Sequence, residues 1–310
     1  MRTRMAYMIG VTCAVVLTVA GCLGGGRAAG MPGQSTQSLS VGGVMRSFHL
    51  YRPDGLSGPA PLVVMLHGGY GDGAQAERAY HWDAQADSGR FLVAYPDGVD
   101  RAWNAGSCCG RPARTGVDDV AFITAMVAAI EQQIPVDTTR VFVTGMSNGA
   151  MMALRLACQS SLFFAAVAPV AGTLLTGCSG ASPTSVLQIH GTADDRVPYG
   201  GGPPGTALTA SGSPRVDGPS VESVNADWRT IDGCAPPVSS SSGEVTTLRA
   251  DCPEGRTVEL IAIAGAGHQW PGGVSNPPVV EKIAGLSPPS TALDATAAIW
   301  QFFTQHARSR

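Results

Sequence analysis

The sequence predicts an α/β fold with a mostly parallel central sheet and helices on both faces. Short apolar runs recur along the chain without polar alternation, which is typical of strands that are covered on both faces. Helix-like segments lie between several of these runs, and alternating strands and helices favour parallel pairing with right-handed crossovers. With 310 residues, of which 44% are hydrophobic and 14% charged, the chain is long enough to bury a large core.

The predicted elements begin with a hairpin, because residues 39–51 alternate in polarity around Gly42-Gly43. The buried strands that follow are expected at PLVVML (61–66), FLVAY (91–95), VFVTG (141–145), AAVAPV (165–170), VLQI (186–189) and ELIAIA (259–264). The clearest helix begins at Asp118-Asp119, and the last is expected from about Thr291 to His306. Two segments rich in Gly, Pro and Ser, 200–219 and 272–289, are expected to form loop-rich cap segments around a site.

The N-terminal residues have the pattern of an export signal. A short basic start, Met1 to Arg4, precedes an apolar stretch that ends in LTVAGC, and this ending resembles the lipobox of bacterial lipoproteins. We therefore expect a lipoprotein signal peptide over residues 1–21, lipidation at Cys22, a flexible tether over 22–38 and one folded domain over 39–310. The protein would then be exported, either lipid-anchored to the outer face of the cell membrane or extracellular.

Cysteine usage agrees with export. Of eight cysteines, loss of Cys13 with the signal and lipidation of Cys22 would leave six, an even number. An oxidising compartment favours disulfides over metal sites. The predicted pairs are Cys158 with Cys178 and Cys234 with Cys252. The adjacent Cys108 and Cys109 would bond to each other or stay reduced, since they lack the spacer of zinc pairs.

The charge balance excludes two classes of partner. The formal net charge is −3, so the sequence lacks the excess of basic residues that would bind nucleic acid or anionic lipid. Contact with a membrane is expected only through the lipid anchor. No cofactor and no metal are expected.

A candidate nucleophile is Ser147, at the centre of the G-x-S-x-G segment 145–149. The strand VFVTG precedes this segment and the helix-like AMMALRLAC follows it, which is the setting that a nucleophile elbow requires. A serine hydroxyl is a weak nucleophile near neutral pH, so it needs a general base and an acid that orients the base.

Both partners are expected in loops after later strands, in the order serine, acid, histidine that the α/β-hydrolase fold uses. Of the six histidines, three have a packing or surface interpretation, and His67 and His190 precede glycines at strand ends and are expected to brace loops. Elimination leaves His268. Asp194 and Asp195 both follow VLQI, and position alone does not choose between them.

An oxyanion site needs two backbone N–H groups that point at one place. The run HGGYG (67–71) follows the first buried strand and resembles the HGG segment that supplies one donor in esterases, here at Gly69. The residue after the nucleophile, Asn148, is expected to supply the other.

These motifs together resemble one family. The segments LHGG, WNAGSCCG, DDVAFI, GMSNGAM, AAVAPVAG, HGTADDRVPY and GHQWPGG are similar to those of the poly(3-hydroxybutyrate) depolymerase and feruloyl esterase group of secreted α/β-hydrolases. The resemblance covers roughly Ser38 to the C-terminus and implies that residues 39–310 form an α/β-hydrolase catalytic domain. It implies that Asp194 is the acid and that Trp103 and Trp270 lie near the substrate pocket.

The resemblance also bears on the substrate. Gly69 stands where many depolymerases carry cysteine, and no separate polymer-binding domain is recognised, so solid polymer is not the expected substrate. We expect a small-molecule or oligomeric ester, short-chain or feruloyl-like, including hydroxyalkanoate oligomers. Two alternatives stay open at this point: a cell-envelope acyltransferase with the same triad, and a non-catalytic binding protein of this fold.

Overall fold

The computed structural model describes residues 33–160, 163–202, 216–275, 279 and 287–308. The expected signal peptide, Cys22 and most of the expected tether lie outside the described residues. Large parts of the two expected cap segments, 203–215 and 276–286 except for residue 279, lie outside them as well.

Within the described residues, ten strands form one sheet in the order β1-β2-β4-β3-β5-β6-β7-β10-β9-β8. The strands are β1 (Gly33–Val41), β2 (Val44–Arg52), β3 (Ala60–Leu66), β4 (Leu92–Pro96), β5 (Val136–Met146), β6 (Ala166–Val170), β7 (Ser185–Gly191), β8 (Val238–Ser242), β9 (Val245–Asp251) and β10 (Thr257–Ile263). From β4 to β10 in this order, all neighbouring strands pair in parallel. Antiparallel strands extend the sheet at both edges.

Helices cover both faces of the sheet. They are α1 (Gly73–Ala79), α2 (Trp82–Gly89), α3 (Gly110–Thr115), α4 (Asp119–Gln133), α5 (Asn148–Gln159), α6 (Val221–Ile231) and α7 (Ala295–Thr304). Side chains of β3 alternate between two cores, with Leu62 and Val64 facing α4, α5 and α6, and Val63 facing α1, α2 and α7. The predicted fold class is confirmed, and the continuous apolar runs follow from burial on both faces.

Capping side chains fix where α1, α4, α6 and α7 begin. The Asp118 carboxylate accepts a hydrogen bond from Ala121 N at the start of α4, as the sequence predicts. In the last helix, the side chain of Asp294 accepts from Ala297 N, so α7 begins at Ala295, four residues later than expected.

Two edge elements differ from the expectations. Residues 33–38, expected as tether, are the first part of β1 and pair with residues 47–52 of β2. The hairpin of β8 and β9 has no apolar run to reveal it, since β8 reads VSSSS and is exposed throughout. Polar edge strands receive their order from backbone pairing, which a hydrophobicity pattern does not register.

Three disulfides join the six cysteines of the described residues: Cys108–Cys109, Cys158–Cys178 and Cys234–Cys252. The second ties the end of α5 to the segment after β6, and the third closes the chain from the end of α6 to the end of β9. No helix within the described ranges combines the length and apolar character needed to span a bilayer.

Candidate active site

Ser147 occupies the sharp turn between β5 and α5. Its backbone has φ 55° and ψ −117°, a conformation that costs energy for a residue with a side chain. A Cβ at Gly145 would overlap the backbone of Gly149, and a Cβ at Gly149 would overlap the backbone of Leu66. The turn therefore requires glycine on both sides of the serine, and it presents the Ser147 side chain at the carboxyl edge of the sheet.

Three side chains from three loops form a continuous hydrogen-bonded chain at this edge. His268, after β10, lies with Nε2 2.8 Å from Ser147 Oγ and Nδ1 2.7 Å from Asp194 Oδ2. An ionised carboxylate only accepts hydrogen bonds, so Nδ1 carries the imidazole proton and Nε2 is free to accept from the serine hydroxyl. The arrangement can take a proton from Ser147 as its oxygen attacks an electrophile.

The Asp194 carboxylate is buried and held at both oxygens. Its Oδ1 accepts hydrogen bonds from the backbone N–H groups of Arg196 and Val197, each at 2.9 Å. Burial by itself would raise the pKa of Asp194, but His268 and His190 beside it hold that pKa well below its usual value. Asp195, the alternative acid, is exposed. The structure thus brings Asp194 and His268 together.

The two histidines expected to brace loops do so by hydrogen bonds. His67 donates from Nδ1 to Gly68 O at 2.7 Å and accepts from Gly98 N at Nε2. Burial lowers the pKa of His67. His190 Nε2 lies 2.8 Å from Val197 O and 3.3 Å from Asp194 Oδ2. Both of these atoms are acceptors, so His190 Nε2 carries a proton and steadies the loop that holds Asp194.

The glycine loop after β3 lies directly against the nucleophile turn. A Cβ placed on Gly68 would be 3.6 Å from Ser147 Cβ, and one placed on Gly69 would be 3.9 Å from Asn148 Cβ. The neighbouring amides are already engaged, since Tyr70 N donates to Arg101 O and Gly71 N donates to Gly68 O. These contacts place Gly69 and Asn148, the two expected oxyanion donors, beside each other at the serine.

The two tryptophans expected near the pocket are both buried. Trp103 is 0% exposed beneath the glycine loop, so it acts only through the segments that it contacts. Trp270 is 2% exposed, stacks on Tyr80 at 4.6 Å and donates from Nε1 to Thr296 Oγ1. Trp270 also lines one edge of a surface pocket of about 280 Å³, next to the His268 loop.

Two contacts around the site were not anticipated from the sequence. The Asn148 side chain pairs with the backbone of Trp103, and His190 approaches the Asp194 carboxylate. The sequence held a signal for the contact of Asn148, because a polar residue stands there at the start of an otherwise apolar helix. The second depends on how the loop after β7 folds back, which the spacing of residues in the sequence does not reveal.

Within the described part of the chain, no group of three or more potential ligand side chains is suited to hold a metal ion.

Comparisons with known proteins show similarity to esterases. The family profile described as "Esterase PHB depolymerase" matches residues 46–198. The chain is 32% identical over 261 residues to a Nocardia uniformis subsp. tsuyamanensis protein named as the esterase NocK, covering 77% of this chain and 74% of that protein. It is 31% identical over 293 residues to feruloyl esterase C of Emericella nidulans, covering 89% and 91% respectively.

A solved structure has a similar fold. The acetyl xylan esterase from Aspergillus awamori matches with a TM-score of 0.58 and 18% identity, covering 82% of this chain and 100% of that chain. At this level of identity the likeness establishes the fold and leaves the substrate to other arguments.

Proposed function

We propose that Ser147, His268 and Asp194 form the catalytic triad of this chain. The chain belongs to the esterase PHB depolymerase family and is a carboxylic ester hydrolase. The observation that carries the proposal is the chain of hydrogen bonds from Ser147 Oγ through the imidazole to Asp194, at 2.8 and 2.7 Å. Nucleophile, base and orienting acid are in reach of each other without any rearrangement.

The proposed reaction proceeds through an acyl-enzyme. Ser147 Oγ attacks the ester carbonyl carbon while His268 Nε2 takes the hydroxyl proton. The tetrahedral intermediate collapses, and the alcohol leaves with the proton that His268 returns. Water then attacks the acyl group with His268 again as base, the carboxylic acid departs and the Ser147 hydroxyl is restored. Asp194 keeps the imidazole in the tautomer that both steps need.

We further propose that the backbone N–H groups of Gly69 and Asn148 bind the oxyanion. Support comes from the close approach of the glycine loop to the nucleophile turn. Asn148 is also the first residue of α5, where backbone N–H groups lack intrahelical partners and the helix dipole favours negative charge.

The substrate class we propose is a short-chain or aromatic carboxylic ester, including small hydroxyalkanoate oligomers. The pocket of about 280 Å³ is lined in part by Gln269 and Trp270, which directly follow His268 in the chain, and its volume is just below the range for small-ligand sites, roughly 300–1,000 Å³. Tyr80 and Trp270 line it, and aromatic groups suit flat or short apolar acyl chains. The name of one relative, feruloyl esterase C, supports the same class.

A graded series of esters tests this class. We expect kcat/KM for acetyl to butyryl esters and for hydroxycinnamoyl esters to exceed that for dodecanoyl esters at least about tenfold, or roughly 1.4 kcal/mol of transition-state binding. The measurement is kcat/KM for p-nitrophenyl esters of increasing chain length and for methyl ferulate. Highest activity on dodecanoyl or longer esters would contradict the proposed pocket.

Two variants locate the pocket within the same assay. Trp270→Ala is expected to lower kcat/KM for methyl ferulate more than for the acetyl ester, because it removes a ring at the pocket edge. Thr296→Val is the control for lost hydrogen bonds, since it removes the hydroxyl that bonds to both Trp270 Nε1 and Tyr80 O and keeps both rings. Equal losses on both esters in Trp270→Ala would place the aromatic subsite elsewhere.

We propose that residues 1–21 are an export signal, that Cys22 carries a lipid and that residues 22–32 tether the catalytic domain. Three disulfides in the described residues support an oxidising location. Mass spectrometry of envelope material is expected to find a diacylated Cys22 at the mature N-terminus, and Cys22→Ala should abolish the anchored form. A soluble product cut elsewhere and unaffected by Cys22→Ala would refute lipidation.

A further inference from the structure

The Asn148 side chain forms a two-point hydrogen-bonded pair with the backbone of Trp103. Trp103 N donates to Asn148 Oδ1 at 2.7 Å, and Asn148 Nδ2 donates to Trp103 O at 3.1 Å. Asn148 is 2% exposed and Trp103 is fully buried. The first residue of α5 is therefore fixed by its own side chain as well as by the helix that follows.

The indole of Trp103 reaches the other segment that borders the serine. Its Nε1–H donates to His67 O at 2.9 Å, and its ring lies 4.8 Å from the His67 imidazole. His67 stands two residues before Gly69. Trp103 thus connects the glycine loop to the start of α5, with its side chain on one segment and its backbone on the other.

Buried charged groups also fix the backbone next to Trp103. The next residue, Asn104, donates its backbone N–H to Asp119 Oδ2 at 2.7 Å, and Asp119 pairs with Arg46 at 2.7 Å. Cys109 N donates to Trp103 O at 3.1 Å. Since Arg46 and Asp119 are both buried, this support is shielded from water.

We propose that Trp103 and the Asn148 side chain are positioning residues that set the separation between the two oxyanion donors, Gly69 N–H and Asn148 N–H. This inference rests on the proposed function. Donors are effective only when they lie about 2.7–3.1 Å from the place where the oxyanion forms, so small displacements weaken transition-state binding. Both side chains are buried away from substrate, so their loss should lower kcat and leave KM nearly unchanged.

The experiment compares Trp103→Phe with Trp228→Phe. Trp103→Phe keeps an aromatic ring but loses the N–H that holds His67 O. Trp228 is also fully buried, on α6, and its indole N–H has no hydrogen-bond partner among the residues that the structure describes, so Trp228→Phe controls for the packing change. We expect Trp103→Phe to lower kcat about 10- to 100-fold with KM within about threefold of wild type, and Trp228→Phe to change neither by more than about threefold.

A boronic acid inhibitor separates positioning from packing. It forms a tetrahedral adduct with a serine oxygen and places a boronate oxygen at the oxyanion site, so its affinity should fall in Trp103→Phe by about the same factor as kcat. Asn148→Ala removes both hydrogen bonds to Trp103 and is expected to give the same pattern. It serves as the test if Trp103→Phe does not fold.

The outcomes separate this inference from the proposed function. If Ser147→Ala keeps both hydrolysis and boronate binding, the proposed function fails. If Ser147→Ala loses both while Trp103→Phe matches Trp228→Phe, only the positioning inference fails. A fall in kcat for Trp103→Phe with unchanged boronate affinity would also overturn it, because the loss would lie outside the oxyanion site.

Discussion

Replacing Ser147 with alanine is expected to remove ester hydrolysis, with a loss in kcat on the order of 10⁶. The reason is chemical, since alanine has no oxygen to attack the carbonyl and no acyl-enzyme can form. The remaining parts of the site would give only weak assistance to attack by water. The measurement is kcat on an acetyl ester, together with mass spectrometry for covalent labelling by a fluorophosphonate, which should be lost as well.

The same variant is expected to fold normally. Alanine keeps the Cβ of serine, so the strain at φ 55° between Gly145 and Gly149 is unchanged, and only the Oγ contact with His268 is lost. A thermal unfolding midpoint within a few degrees of wild type would establish this. Ser240→Ala, on the exposed strand β8, is the control and should keep full activity. If purified Ser147→Ala hydrolysed the ester near the wild-type rate, the assignment of Ser147 as the nucleophile would be refuted.

The sequence predicts the interior of the fold better than its edges. Strands such as β3 and β6 are buried at every position, so their sequences are continuously apolar and stand out without any structure. Strand β8 and the first half of β1 are mostly polar and exposed, and backbone pairing with a neighbouring strand gives them their order. Backbone pairing of this kind leaves no hydrophobicity pattern in the residues.

A similar limit applies around the site. The G-x-S-x-G turn and the histidine after β10 are predictable because each depends on a few consecutive residues and on their order. The family resemblance implied that Trp103 lies near the substrate pocket. In the structure Trp103 is fully buried, and its neighbour Asn104 is held by Asp119, which pairs with Arg46 from a distant part of the sequence. Tertiary contacts of that kind decide whether an aromatic residue lines a pocket or braces the loops around it.

Replacing Asp194 with asparagine is expected to lower kcat about 10⁴-fold while Asp195→Asn changes it by less than about twofold. The surroundings of Asp194 give the reason. The N–H groups of Arg196 and Val197 both point at Oδ1, so the asparagine must place its oxygen there and its NH₂ group toward His268. His268 Nδ1 would then have to accept a hydrogen bond, and its proton would move to Nε2, where it cannot take the Ser147 proton.

The comparison of the two neighbouring aspartates makes this test specific. Asp194 and Asp195 are equivalent in sequence position, but Asp194 Oδ2 lies 2.7 Å from His268 Nδ1 while Asp195 is exposed. Both variants lose one negative charge and change almost no volume, so a general electrostatic effect would appear in both. The measurement is kcat for the two variants on one ester, with circular dichroism to verify the fold. If Asp195→Asn were the more damaging change, the acid would be misassigned and the tautomer argument would fail with it.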